Sequence, residues 1–215
     1  MIIPQSASDI QFKVVILGDS QVGKTSLLNC QLHGYQPPNL NPTIGCHCND
    51  ITMDIEDKTV ILQVWDTAGQ EMYKSLVPVY LRGARAAIVV FSITDKESFD
   101  SLDLWYNFLH ETLTEKTPVF LVANKIDLIT PNLSAEEKLN VPNNQRNYKQ
   151  IVDDNTLNSF AETHDSKLFK VSAIKGTGVE ELFTAIAQEM IDLMLTDASP
   201  VHKTIHEESS KKKCC

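Results

Sequence analysis

The sequence predicts an α/β fold: a mostly parallel six-stranded sheet with one antiparallel edge strand and helices on both faces. Three observations carry that expectation. Apolar, strand-like runs at 12–17, 59–65, 86–93, 118–123 and 167–171 alternate with helix-like segments, the pattern of a parallel sheet wrapped by helices. A glycine-bearing turn follows the first run and leads into a helix start, Ser26-Leu27-Leu28-Asn29-Cys30. The polar motifs fall just after strand-like runs, at the carboxyl ends where open α/β sheets place their binding crevice.

Taken in order, Phe12 to Leu17 reads as a buried strand. Residues 45–55 supply the edge strand, paired antiparallel with 58–65 through a turn near Glu56-Asp57-Lys58. Cys46-His47-Cys48 has residue types that bind zinc, but in a strand the two thiols face one side and His47 the other, which favours a plain strand. Thr94-x-x-Glu97 and Thr177-x-x-Glu180 both fit a capping box and predict helix starts. Val179, Leu182, Phe183, Ile186, Met190 and Leu193 follow helical spacing, so the last helix should lay one apolar face on the sheet.

With 215 residues the chain suits one α/β domain, read as residues 11–195 after a flexible N-terminus, 1–10. Residues 1–10 show no export signal, and no apolar run approaches the roughly 18 residues of a membrane span. A formal charge of −9 argues against nucleic acid as a partner, because phosphate backbones recruit basic surfaces. Five cysteines without an export signal read as reduced thiols. Residues 196–215 lack an apolar period and end in Lys211-Lys-Lys-Cys-Cys215, which reads as a tether.

The chemistry begins at Gly18-Asp19-Ser20-Gln21-Val22-Gly23-Lys24-Thr25, which fits the phosphate-binding pattern G-x-x-x-x-G-K-[S/T]. Glycines let consecutive backbone N–H groups curl around phosphate oxygens at the positive end of the following helix, which Ser26 continues. Lys24 would reach the β- and γ-phosphates of a nucleotide triphosphate, and the Thr25 hydroxyl would hold magnesium. Trp65-Asp66-Thr67-Ala68-Gly69-Gln70-Glu71 ends another strand-like run, where Asp66 is a natural second contact for Mg2+. Asn124-Lys125-Ile126-Asp127 follows Pro118 to Ala123. Its Asp127 carboxylate could accept two hydrogen bonds from guanine, and adenine offers no matching donors. Val171-Ser172-Ala173 closes a further strand-like run, where a backbone N–H could meet the guanine O6.

The ordered set Gly18–Thr25, Thr43, Trp65–Glu71, Asn124–Asp127 and Ser172–Ala173 resembles the Ras superfamily of small GTPases, and within it the Rab family. The resemblance covers about residues 10 to 195 and implies a P-loop NTPase of the small G domain type. Rab-like features also stand in Tyr73-Lys-Ser-Leu-Val-Pro78, Tyr80-Leu-Arg-Gly-Ala84 and Val90-Phe-Ser-Ile-Thr94. Cys214-Cys215 is similar to a Rab double-prenylation signal, an unmodified tail being the alternative. The switch II stretch resembles the endosomal branch more than the secretory branch.

The resemblance implies a GTP/GDP switch with slow hydrolysis, Gln70 orienting the attacking water and Thr25, Thr43 and Asp66 serving magnesium. The backbone N–H groups of Gly69 and Thr43 would engage the γ-phosphate, and Ile174 would pack on the base. Implied partners are an exchange factor, a GTPase-activating protein, effectors and a prenyl-binding chaperone. The protein would be a monomer on the cytoplasmic face of an intracellular membrane, cycling with cytosol. A GTP/GDP-binding scaffold with negligible hydrolysis is the alternative, and an adenine-nucleotide enzyme is disfavoured by Asp127.

The chain also departs from the family. Gln36 replaces the usual aromatic against the guanine, Cys48 stands where an effector-binding aromatic belongs, and Ile174 replaces a lysine. Residues 129 to 148 read as an insertion, a surface loop with an extra partner contact as the alternative.

Overall fold

The computed structural model describes residues 10–34, 43–68, 76–114, 116–129 and 152–197. They form β1 (Ile10–Leu17), α1 (Lys24–His33), β2 (Cys46–Ile55), β3 (Lys58–Thr67), α2 (Val77–Leu81) and β4 (Ala86–Ser92). After these come α3 (Lys96–Asp100), α4 (Leu102–Thr112), β5 (Val119–Asn124), α5 (Asp154–Thr163), β6 (Ser166–Lys170) and α6 (Val179–Asp197). A 3-10 turn, Ile126–Leu128, follows β5.

The sheet has six strands in the order β2-β3-β1-β4-β5-β6. Only the β2–β3 pair is antiparallel; the other pairs run parallel. Ile55 pairs with Lys58, which leaves Glu56 and Asp57 as a two-residue turn. Glu56 takes φ 52 there, the left-handed conformation that tight hairpins demand.

Strand alternation divides the core in two. Val14 and Ile16 of β1, Ile88 and Val90 of β4, and Phe120 and Val122 of β5 face α1 and α6, where Leu27, Phe183, Ile186 and Met190 complete the layer. Val15, Leu17, Val89, Phe91 and Leu121 face the other way, onto α2, α4 and α5 through Leu81, Trp105, Tyr106 and Leu157. A central strand buried on both faces must be apolar at every position, which is why these runs do not alternate in sequence. Each large side chain so buried contributes about 2–3 kcal/mol. The expected apolar face of the last helix is present: Val179, Leu182, Phe183, Ile186 and Met190 are buried, and Leu193 packs at the edge of the same layer.

Both expected capping boxes are corrected. At α3 the cap is Asp95, whose carboxylate accepts from the N–H groups of Glu97 and Ser98; Thr94 bonds Ser92 instead. A carboxylate is the better acceptor at the positive end of a helix. Thr177 stands two residues before α6 and pairs across a turn with Ser172, so it cannot cap. The proposed insertion lies outside the described residues except for Ile129. No helix among the described residues is long and apolar enough to cross a membrane.

Candidate functional site

The ends of β1, β3 and β5 and the turn after β6 converge at one edge of the sheet. Gly18 follows β1 with φ 135, and a Cβ there would sit 2.1 Å from the Val90 carbonyl oxygen. The loop therefore passes flush against β4, and only glycine fits. Gly23, φ 99, precedes α1, and no side chain caps the helix. Its first N–H groups thus face the loop without a side-chain acceptor, the arrangement that receives phosphate.

Lys24 is buried and folds back over the loop, its Nζ donating to the carbonyls of Gly18 at 2.8 Å and Asp19 at 2.7 Å. Burial pulls its pKa from 10.5 down to about 8, partly opposed by Asp66 and Asp19. An ammonium held under such desolvation is poised for an anionic partner.

Beside it lie three oxygens. Thr25 Oγ1 donates to Asp66 Oδ2 at 2.6 Å, Thr43 Oγ1 stands 2.8 Å from Thr25 Oγ1, and Thr43 Oγ1 reaches Asp66 Oδ2 at 3.3 Å. Asp66 is buried and its Oδ1 has no hydrogen-bond partner among the described residues, while burial pushes its pKa up against the opposing pull of Thr25, Lys24 and Thr43. A buried carboxylate with an orphaned oxygen beside two hydroxyls is a hard, all-oxygen donor set that fits magnesium. His47 pairs with Asp66 across the β2–β3 ladder, and a hollow of about 520 Å³ between Thr25, Cys46, His47 and Asp66 opens there.

Asn124 ties the two halves of the site together. Its Nδ2 donates to the Val22 carbonyl of the phosphate loop at 2.9 Å, and its Oδ1 accepts from Ala173 N–H at 3.1 Å. Lys125 takes a left-handed φ of 68 and turns the chain so that Asp127 Oδ1 accepts from Ser172 Oγ at 2.6 Å. Burial lowers the Lys125 pKa, opposed by Asp95 and Asp127. Ile174 projects from the Ser172–Ala173 turn, 62% exposed, where an apolar surface is free to pack on a ligand.

Gly18 to Ser26, Thr43, Asp66, Asn124, Lys125, Asp127 and Ser172 to Ile174 therefore lie on one edge. Gly69, Gln70, Gln36, Cys214 and Cys215 lie outside the described residues. No motif flagged Ser101 or Trp105, yet both donate to the Asp19 carboxylate. A second cavity, about 510 Å³, sits at the opposite end of the sheet between Leu109, His110, Thr117 and His164; no motif residue lines it.

The glycine-limited loop before a buried lysine, with Asn124 joining that loop to the Ser172–Ala173 turn, places the chain in the P-loop class of small GTPases. The sequence model of the Ras family matches residues 13–192. The chain is 30% identical over 211 residues to the Ras-related protein Rab-8B of Dictyostelium discoideum, covering 98% of this chain and 95% of that protein. It is 32% identical over 182 residues to the Ras-related protein Rab-1D of the same organism, covering 85% and 80%. This chain belongs to the Ras family and is a small GTPase of the Rab type.

Proposed function

We propose that the chain binds GTP and GDP with magnesium and hydrolyses GTP slowly, as a switch in vesicle traffic on the cytoplasmic face of an intracellular membrane. The Asn124 strut is the observation that carries this reading. One side chain holds Val22 of the phosphate loop and Ala173 beside Asp127, so triphosphate and base would be gripped by a single rigid frame. Asp127 would accept from guanine N1–H and the exocyclic amine, with a backbone N–H of the Ser172–Ala173 turn for O6.

Thr25, Thr43 and Asp66 would hold the metal. Magnesium, when bound, screens the phosphate charge that develops during hydrolysis. Lys24 would leave its two carbonyl acceptors, or share them, to meet phosphate oxygens. Thr43 N–H and Gly69 N–H would engage the γ-phosphate, so its loss releases both loops for partners to read. Gln70 would position water, a contribution of orientation rather than of strong base chemistry. Residues 34–45 contain no arginine, so rapid turnover needs one supplied by an activating protein.

Exchange factor and effectors would complete the cycle. Cys214 and Cys215 would carry two lipid chains, since stable anchoring takes two signals, and a prenyl-binding chaperone would return the protein to the cytosol. An endosomal address is the expectation to test by localisation.

The deciding experiment identifies the ligand released from purified full-length protein, then follows phosphate release after loading with GTP and magnesium. Guanine nucleotide with slow release that falls further in Gln70→Leu supports the switch. Guanine nucleotide with no release in either protein supports a nucleotide-holding scaffold, and an empty site that refuses GDP refutes the reading.

A further inference from the structure

We infer that Ser101 and Trp105 are positioning residues for the phosphate loop, acting through Asp19. This inference rests on the nucleotide-binding function proposed above. Asp19 is the second residue of the loop, and its two carboxylate oxygens are both engaged by the start of α4. Ser101 Oγ donates to Oδ2, and Trp105 Nε1 donates to Oδ1 at 3.1 Å. These contacts span 82 and 86 positions of sequence. They join the second core layer directly to the loop.

The hydroxyl of Ser101 shows where its bonding is spent. Ser101 occupies the cap position of α4, yet its side chain makes no cap bond to that helix. A hydroxyl has one proton, and here the Asp19 carboxylate is a closer acceptor than the Ser98 carbonyl, 3.2 Å away. The proton therefore goes to a long-range carboxylate, and a hydrogen bond to an ionised acceptor is the stronger kind. Trp105 is 1% exposed and packed among apolar side chains, so the N–H that meets Asp19 is held by a ring with no freedom to turn away.

The carbonyl of the same Asp19 accepts from Lys24 Nζ at 2.7 Å. Asp19 is therefore clamped at both ends: its side chain to α4, its peptide to the lysine meant for phosphate. Releasing the side chain lets that peptide rotate, and the lysine and neighbouring N–H groups lose the geometry that a β-phosphate requires. The base-side residues are held by Asn124, which bonds Ala173 and meets the loop at Val22 rather than at Asp19. The defect should accordingly follow the phosphates and spare the base.

The experiment compares wild-type protein with Ser101→Ala, Trp105→Phe and Asp19→Asn, measuring GDP dissociation rate, the affinities for GDP and GMP, and unfolding in urea. Each variant should release GDP about tenfold faster, since a hydrogen bond to a charged group is lost. GMP, which lacks the β-phosphate, should bind as before. Ser101→Ala combined with Asp19→Asn should add little to either alone, because both break one linkage. Equal losses for GDP and GMP would mean a general structural defect and overturn the inference, as would GDP release unchanged in Ser101→Ala and Trp105→Phe. A wild-type protein that binds neither nucleotide would overturn the proposed function, and this inference with it.

Discussion

Replacing Lys24 by methionine should destroy nucleotide binding while leaving the ligand-free protein at least as stable as the parent. The ammonium is buried at 6% exposure and its pKa falls from 10.5 to about 8. Keeping it charged at neutral pH therefore costs the ligand-free fold about 3 kcal/mol. Methionine keeps the stem and removes that penalty. It also frees the carbonyls of Gly18 and Asp19, which now accept from Nζ, and each lost bond costs about 1 kcal/mol. The balance is a gain of about 1 kcal/mol.

The pH dependence separates this cause from simple repacking. An unfolded lysine keeps its proton up to pH 10.5, the folded one only to about 8. Between those values the unfolded state binds more protons, so the parent gains stability as pH rises. Below 8 the penalty is present in full. The advantage of Lys24→Met should thus be constant at neutral pH and shrink across the window from 8 to 10.5. Urea unfolding of nucleotide-stripped parent and variant, at neutral pH and again above pH 8, measures it. GDP affinity should meanwhile fall about a hundredfold or more, as for a truncated buried charge partner. A variant less stable than the parent by about 2 kcal/mol, beyond the bookkeeping above, would refute the argument. So would a stability difference independent of pH.

Three further outcomes are expected. Asn124→Ala should lose about 2–4 kcal/mol in urea unfolding, because it strands the buried Val22 carbonyl and Ala173 N–H; a loss below about 1 would mean that neither bond matters. Asp127→Asn should reduce the preference for GDP over ADP by about a hundredfold or more in competition binding, and an unchanged ratio would remove Asp127 from base selection. Gly18→Ala should destabilise the fold by about 3 kcal/mol, since its Cβ would lie 2.1 Å from the Val90 carbonyl at φ 135; soluble protein of parental stability would show that the loop can move away from β4.

Much of the candidate site was legible because its motifs are written locally. A strand followed by glycines, a lysine and a threonine is contiguous, so Gly18 to Thr25 could be read without knowing any contact. The same holds for Asp66, at the end of its own strand, and for Asp127, just past the strand that precedes it. Helix starts were less legible. Thr94 and Asp95 are adjacent and both are cap residues, and the choice fell to the stronger acceptor once the backbone turned at Asp95. Thr177 matched a capping pattern but was drawn into a bridge with Ser172, a competitor that sequence spacing does not display.

By itself, the sequence determined the sheet of six strands, the antiparallel edge, the phosphate loop and the candidate residues for magnesium and base, because periodicity and motif spacing act over a few residues. Tertiary structure alone decided how those pieces hold one another. Asn124 joins Val22 to Ala173, and Asp19 meets Ser101 and Trp105, across separations of 49 to 102 positions. No local pattern encodes such bonds. They exist because parallel strands carry the ends of β1 and β5 to one edge, where buried polar groups must find partners or forfeit their solvation.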